Sequence, residues 1–70
     1  MLKIALITNF NIYEKANAAV SVANYLLQKE CEVLIASFNR DKLVRMNRHR
    51  EEFRYLTVDA VYAEADIIIV

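Results

Sequence analysis

The stretch Ala63–Val70, AEADIIIV, closes on four consecutive β-branched apolar residues introduced by Ala65-Asp66. A short apolar run of this kind reads as a buried strand of a parallel sheet, because strands covered by helices on both faces lose the polar alternation of half-exposed ones. In open α/β sheets ligands bind beyond the carboxyl ends of the strands. A loop that carries chemistry is therefore expected directly after Val70.

Working outward, Thr57 or Asp59 caps a short helix in which Val58, Val61, Tyr62 and Ala65 share one face. At the other end of the sequence, Lys3–Thr8 is almost wholly apolar and reads as a first strand covered on both faces. Asn11 with Glu14 three residues later fits a reciprocal capping box, so a helix is expected from about Ile12 to Lys29. Its positions Ala16, Ala19, Val20, Ala23, Leu26 and Leu27 fall on one stripe. Glu32–Ser37, EVLIAS, is the second strand. At the intervening junction stand Lys29, Glu30 and Cys31, where a helix end commonly has a glycine in the left-handed conformation.

The segment Asn39–Arg54, NRDKLVRMNRHREEFR, has a net charge of three positive within a chain of net charge zero, and its weak helical pattern reads as a short helix plus loop. The order strand, helix, strand, basic segment, short helix, strand predicts an α/β fold: a three-stranded parallel sheet with flanking helices and right-handed crossovers.

Composition narrows the class without naming a partner. The chain is 57% hydrophobic and 26% charged, which fits a globular protein and excludes a disordered or collagen-like one. Seventy residues make at most one small domain, of marginal stability. One cysteine, Cys31, rules out an intrachain disulfide and a cysteine-based metal site, and points to a reduced, cytoplasmic compartment. The apolar stretch Ile4–Ile7 is too short for a membrane span and makes a poor signal peptide. There is no glycine and no proline, where average usage would give about eight. A glycine-rich element is expected to lie outside this sequence.

Few residues offer chemistry. If the spatial order is 2-1-3, the loop after strand one and whatever follows Val70 line a single crevice, where Thr8, Asn9 and Asn11 offer hydroxyl and amide groups to a phosphate. Capping alone accounts for Asn11. Arg45, Arg48, His49 and Arg54 are candidate contacts to nucleic acid, but three interspersed acids favour a solvated helix face. His49 has no second ligand near it and reads as a surface histidine, and Cys31 as a small buried hydrophobe. Tyr13, Tyr25, Tyr55 and Tyr62 read as packing or rim residues. No catalytic residue and no metal ligand is assigned from these residues.

MLKIALITN, LLQKECEVLIA and above all YLTVDAVYAEADIIIV resemble the amino-terminal part of a bacterial NAD kinase. In that family the strand matching Asp66–Val70 runs into a Gly-Gly-Asp-Gly motif that admits the phosphoryl donor and supplies the base acting on the ribose 2′-hydroxyl. The resemblance implies an open α/β domain of NAD-kinase-like, phosphofructokinase-like type, of which residues 1–70 are the first part. It implies transfer of a phosphoryl group from ATP, or polyphosphate, to NAD to give NADP, with Mg²⁺ or another divalent metal, in a homo-oligomeric parent protein. The small-molecule nucleotides are its partners, with neither nucleic acid nor membrane. Thr8, Asn9 and Phe10 are then wall residues of the donor crevice, and the 70-residue chain alone is inactive. Two positions depart from the family: Asn9-Phe10 stands where many members have Asn-Pro, and Glu30 where many have glycine. Among other α/β readings, a receiver-like module would show paired acids after strand one, and a nucleotide-sugar glycosyltransferase would show glycines there. Thr8-Asn9 offers neither, whereas a flavodoxin-like binding module would place its site at the same strand ends.

Overall fold

A computed structural model describes residues 1–70. The chain alternates strands and helices: β1 (Lys3–Leu6), α1 (Tyr13–Gln28), β2 (Glu32–Ala36), a 3₁₀ turn (Ser37–Asn39), α2 (Arg40–Arg45), β3 (Arg54–Leu56), α3 (Val58–Glu64) and β4 (Ile67–Ile69). All strand pairs are parallel, and the sheet order is β3-β2-β1-β4.

The expected α/β class holds, but the sheet has four strands, not three. The missed strand, β3, is the three-residue Arg54-Tyr55-Leu56, pairing Leu34 with Arg54 and Ala36 with Leu56 at the sheet edge. Its charged first residue and its brevity left no apolar run to read. Arg54 is accommodated because its guanidinium reaches the carboxylates of Glu32 at 3.2 Å and Glu64 at 3.4 Å.

The core has two parts, one on each face of the sheet. Leu6 of β1 with Val33 and Ile35 of β2 meets Ala16, Val20 and Ala23 of α1, Leu43 of α2, Phe10 and Phe53. Ala5 and Leu34, one residue out of phase, face Val61 of α3. This alternation follows from the two-residue period of a strand. The chain steps outward from β1 to β2 to β3 with α1 and α2 contributing to one face, then returns past both inner strands to β4 with α3 on the other. Right-handed crossovers demand that change of face when the direction of travel reverses.

The carboxyl ends of α1 and α2 both turn without glycine. At the end of α1 the N–H of Glu30 donates to Leu27 O and that of Cys31 to Leu26 O, both at 3.0 Å, with Glu30 at φ 64°. At the end of α2 the N–H groups of Asn47 and Arg48 make the same pair of bonds to Val44 O and Leu43 O, with Asn47 at φ 58°. These are two Schellman motifs, whose left-handed position normally favours glycine.

The capping box does not form. Ile12 is the N-cap of α1 and no side chain caps the helix; Asn9 instead accepts the Asn11 N–H on its Oδ1 at 3.0 Å, closing the turn one step earlier. Thr57 does cap α3, its Oγ1 accepting from the Ala60 N–H at 3.2 Å. The reading of the final run as a buried strand is also corrected. Ile67, Ile68 and Ile69 are 45%, 41% and 39% exposed, because β4 pairs with β1 along one side only. Cys31 is half-buried rather than buried.

Candidate functional site

The reversal of strand order falls between β1 and β4, since β2 and β3 lie to one side of β1 and β4 to the other. Such a switch point opens a crevice at the carboxyl ends of its two strands, where the connecting loops diverge to opposite faces. The Ile7 N–H donates to Ile69 O at 2.9 Å, which brings Thr8 and Val70 side by side at this point. The first and last strands are therefore neighbours, the arrangement under which the two loops share one crevice.

Thr8 lies between two hollows. On the α1 face a cavity of about 160 Å³ runs between Thr8, Lys15, Val22 and Val70. On the α3 face a smaller one of about 90 Å³ is bordered by Thr8, Phe38, Asn39, Val58 and Tyr62. Both are mostly apolar, and the groups available for chemistry are the Thr8 hydroxyl, the Lys15 ammonium, the Asn39 amide and the Tyr62 phenol. Asn39 is a buried polar residue, and Lys42 Nζ donates to its Oδ1 at 3.4 Å. No carboxylate, imidazole or thiol lines either hollow. The hollows thus offer a ligand hydrogen-bonding groups and one cation.

Of the three residues read as wall residues, only Thr8 faces this crevice. Asn9 is exposed and engaged in the turn, its carbonyl accepting the Ile12 N–H at 3.1 Å. Phe10 is 4% exposed and packs into the α1-side core, touching a different hollow beside α2. Lys15, which the sequence reading passed over, is the cation nearest the crevice. Its position in the first turn of the helix that follows β1 was the available signal, since that turn faces the switch point.

Comparison of the chain with protein-family models, with curated proteins and with solved structures finds no match in any of the three. No family is assigned on that ground, and the site must be judged by its own geometry.

The basic segment is not a uniform solvated face. Arg48 donates to Asn17 Oδ1 and Arg50 to Asn24 Oδ1 at 2.9 Å, strapping the loop 46–53 across α1, and Arg54 pairs with two glutamates. His49, expected on the surface, is half-buried: Nδ1 lies 2.8 Å from the Tyr55 hydroxyl and Nε2 3.2 Å from Glu51 Oε1. Burial pushes the Tyr55 phenol above its ordinary value, with Glu51 adding to the shift and Arg40 opposing it. Glu52 is held below the usual carboxylate value by its own backbone N–H and then by Arg50. Both displaced groups lie at the β3 end of the sheet, away from the switch point. No helix is long and apolar enough to cross a membrane.

Proposed function

We propose that the chain is the amino-terminal part of an NAD kinase, which transfers a phosphoryl group from ATP or polyphosphate to the 2′-hydroxyl of NAD. The observation that carries this reading is the pairing of β4 beside β1, with Thr8 and Val70 meeting at the switch point. A catalytic Gly-Gly-Asp-Gly loop reached from β4 would open into that crevice, with the Thr8 hydroxyl and the Lys15 ammonium opposite it. The exposed face of Ile67–Ile69 supports the same reading, because an apolar edge strand is normally covered or extended by a further element.

Phosphoryl transfer depends on positioning and on stabilising charge over the transferred group. Lys15 would supply positive charge at the donor phosphates and Thr8 a hydrogen bond. Divalent metal is part of the chemistry that the resemblance implies, but the residues present do not fit it: no group of three or more His, Cys, Asp or Glu side chains forms that would hold an ion. Glu14, next to Lys15 in sequence, lines neither hollow, and Asp66 lies at the amino end of β4, away from the crevice, engaged by the Lys3 backbone. No step is therefore routed through a metal on this chain.

The test is to read the coding sequence beyond Val70 and to assay the protein it encodes for NADP formation with ATP and with polyphosphate. Gly-Gly-Asp-Gly within about two residues, together with activity reduced by Lys15→Ala, is the expected result. A stop codon or a proline-rich linker at that point would end the kinase reading.

A further inference from the structure

We infer that a second ligand site, for a phosphate group, lies on the opposite side of β1 from the switch point, in the hollow between the β1–α1 loop and α2. It does not depend on the kinase reading. The hollow has a volume of about 250 Å³ and is lined by Phe10, Asn11, Tyr13, Lys42, Arg45 and Met46. Phe10 and Met46 form an apolar floor, Asn11 and Tyr13 the rim, and the two cations one wall.

Charge sorting within the basic segment singles this place out. Of its six cations, Arg48, Arg50 and Arg54 are spent on asparagine and glutamate partners that hold the loop and the β3 edge. Arg40, Lys42, Arg45 and Arg48 make no ion pair, and Arg48 is tied to Asn17 away from the hollow. Lys42 and Arg45, three positions apart on α2, share a face, and both line the hollow. The Lys42 side chain lines the hollow while its ammonium bonds the Asn39 amide oxygen at 3.4 Å and lies 5.3 Å from the centre of the Phe38 ring, two neutral partners outside the hollow that leave its charge uncompensated. No carboxylate lines the hollow: Asp41 on α2 and Glu14 in the first turn of α1 are both outside it.

Two cations with no ion-pair partner, over an apolar floor, match a phosphate dianion, which Arg binds through paired N–H donors and Lys as a point charge. The α1 N-terminus adds to the field, because Ile12 leaves it without a side-chain cap. Tyr13, 65% exposed at the rim, offers a ring face to a base carried on the same phosphate.

The experiment titrates the ¹⁵N-labelled chain at low ionic strength with AMP and, separately, with sodium tripolyphosphate, using sodium chloride of matched ionic strength as the control. Amide shifts confined to Asn11, Tyr13, Lys42 and Arg45 are expected, with binding weakened about tenfold or more in K42Q/R45Q. Tighter binding of AMP assigns a nucleotide monoester and tighter binding of tripolyphosphate a polyphosphate, and either upholds the site. No shifts, shifts spread equally over Lys29 and Arg50, or an unchanged affinity in K42Q/R45Q would overturn it. Because the readout is binding to this chain, its failure is distinct from a failure of the longer protein to make NADP.

Discussion

Lys3 and Asp66 exchange two hydrogen bonds: the Asp66 carboxylate accepts the Lys3 N–H at 2.9 Å, and the Asp66 N–H donates to Lys3 O at 2.7 Å. The pair sits just ahead of the β1–β4 ladder, whose first partners are Ile4 and Ile67. A one-residue slip would turn each β4 side chain to the other face, so the side-chain bond fixes the register that sets Leu6 opposite Ile69 and leads Thr8 and Val70 to the same hollow.

Asp66→Ala removes the bond to Lys3, and a loss of about 1 kcal/mol is expected, since the freed N–H is exposed and water replaces the carboxylate. Asp66→Asn keeps an acceptor and should retain most of the stability. Urea midpoints of the two variants decide it, and equal losses in both would show that the charge rather than the register bond matters.

Glu30 occupies the left-handed position of the Schellman motif that ends α1. The conformation costs a non-glycine residue about 1 kcal/mol, partly offset by the greater freedom glycine has when unfolded. Glu30→Gly should therefore stabilise the chain by about 0.5 kcal/mol, read as a rise in melting temperature. A lower melting temperature would mean that the Glu30 side chain makes a contribution the backbone argument omits.

How much of this was legible differs from element to element. β1, α1, β2 and α3 announce themselves because burial imposes a period on apolar residues, and Ala16, Val20 and Ala23 on α1 show it plainly. β3 does not, because at an edge Arg54 can satisfy its charge on Glu32 and Glu64 and needs no apolar neighbour. Asn11 and Glu14 match a cap by spacing, yet the Asn9 side chain competes for the same turn, and spacing alone cannot rank the two. The switch point follows from strand order, and Thr8 borders the hollows on both sides of it. Lys42 bonds the nearby Asn39 and Arg45 makes no side-chain hydrogen bond, whereas Arg48 and Arg50 reach Asn17 and Asn24; that difference depends on α1 crossing the loop and leaves no trace in local sequence.

Leu43 is the fully buried residue of α2 and packs in the same cluster as Phe10 and Phe53. Leu43→Ala should cost about 2–5 kcal/mol, a large share of the roughly 4–10 kcal/mol typical at this length. Urea unfolding measures it, and a loss below about 1 kcal/mol would show that α2 is not anchored through this side chain.

Tyr55 ties stability to alkaline pH. Its phenol is raised first by burial and then by Glu51, with Arg40 opposing, and its hydroxyl meets His49 Nδ1 at 2.8 Å beside the Phe53 ring. A raised acid keeps its proton longer in the folded state than in the unfolded one. Its contribution is therefore complete below the ordinary tyrosine value of about 10 and is lost as pH rises through the folded value. Tyr55→Phe removes both the hydroxyl bond and this titration. The variant should be less stable than the parent chain at pH 8, and the gap should narrow as pH rises beyond about 10. Urea midpoints of the two proteins across that range test it, and a constant gap would show that the phenol does not ionise differently in the folded chain.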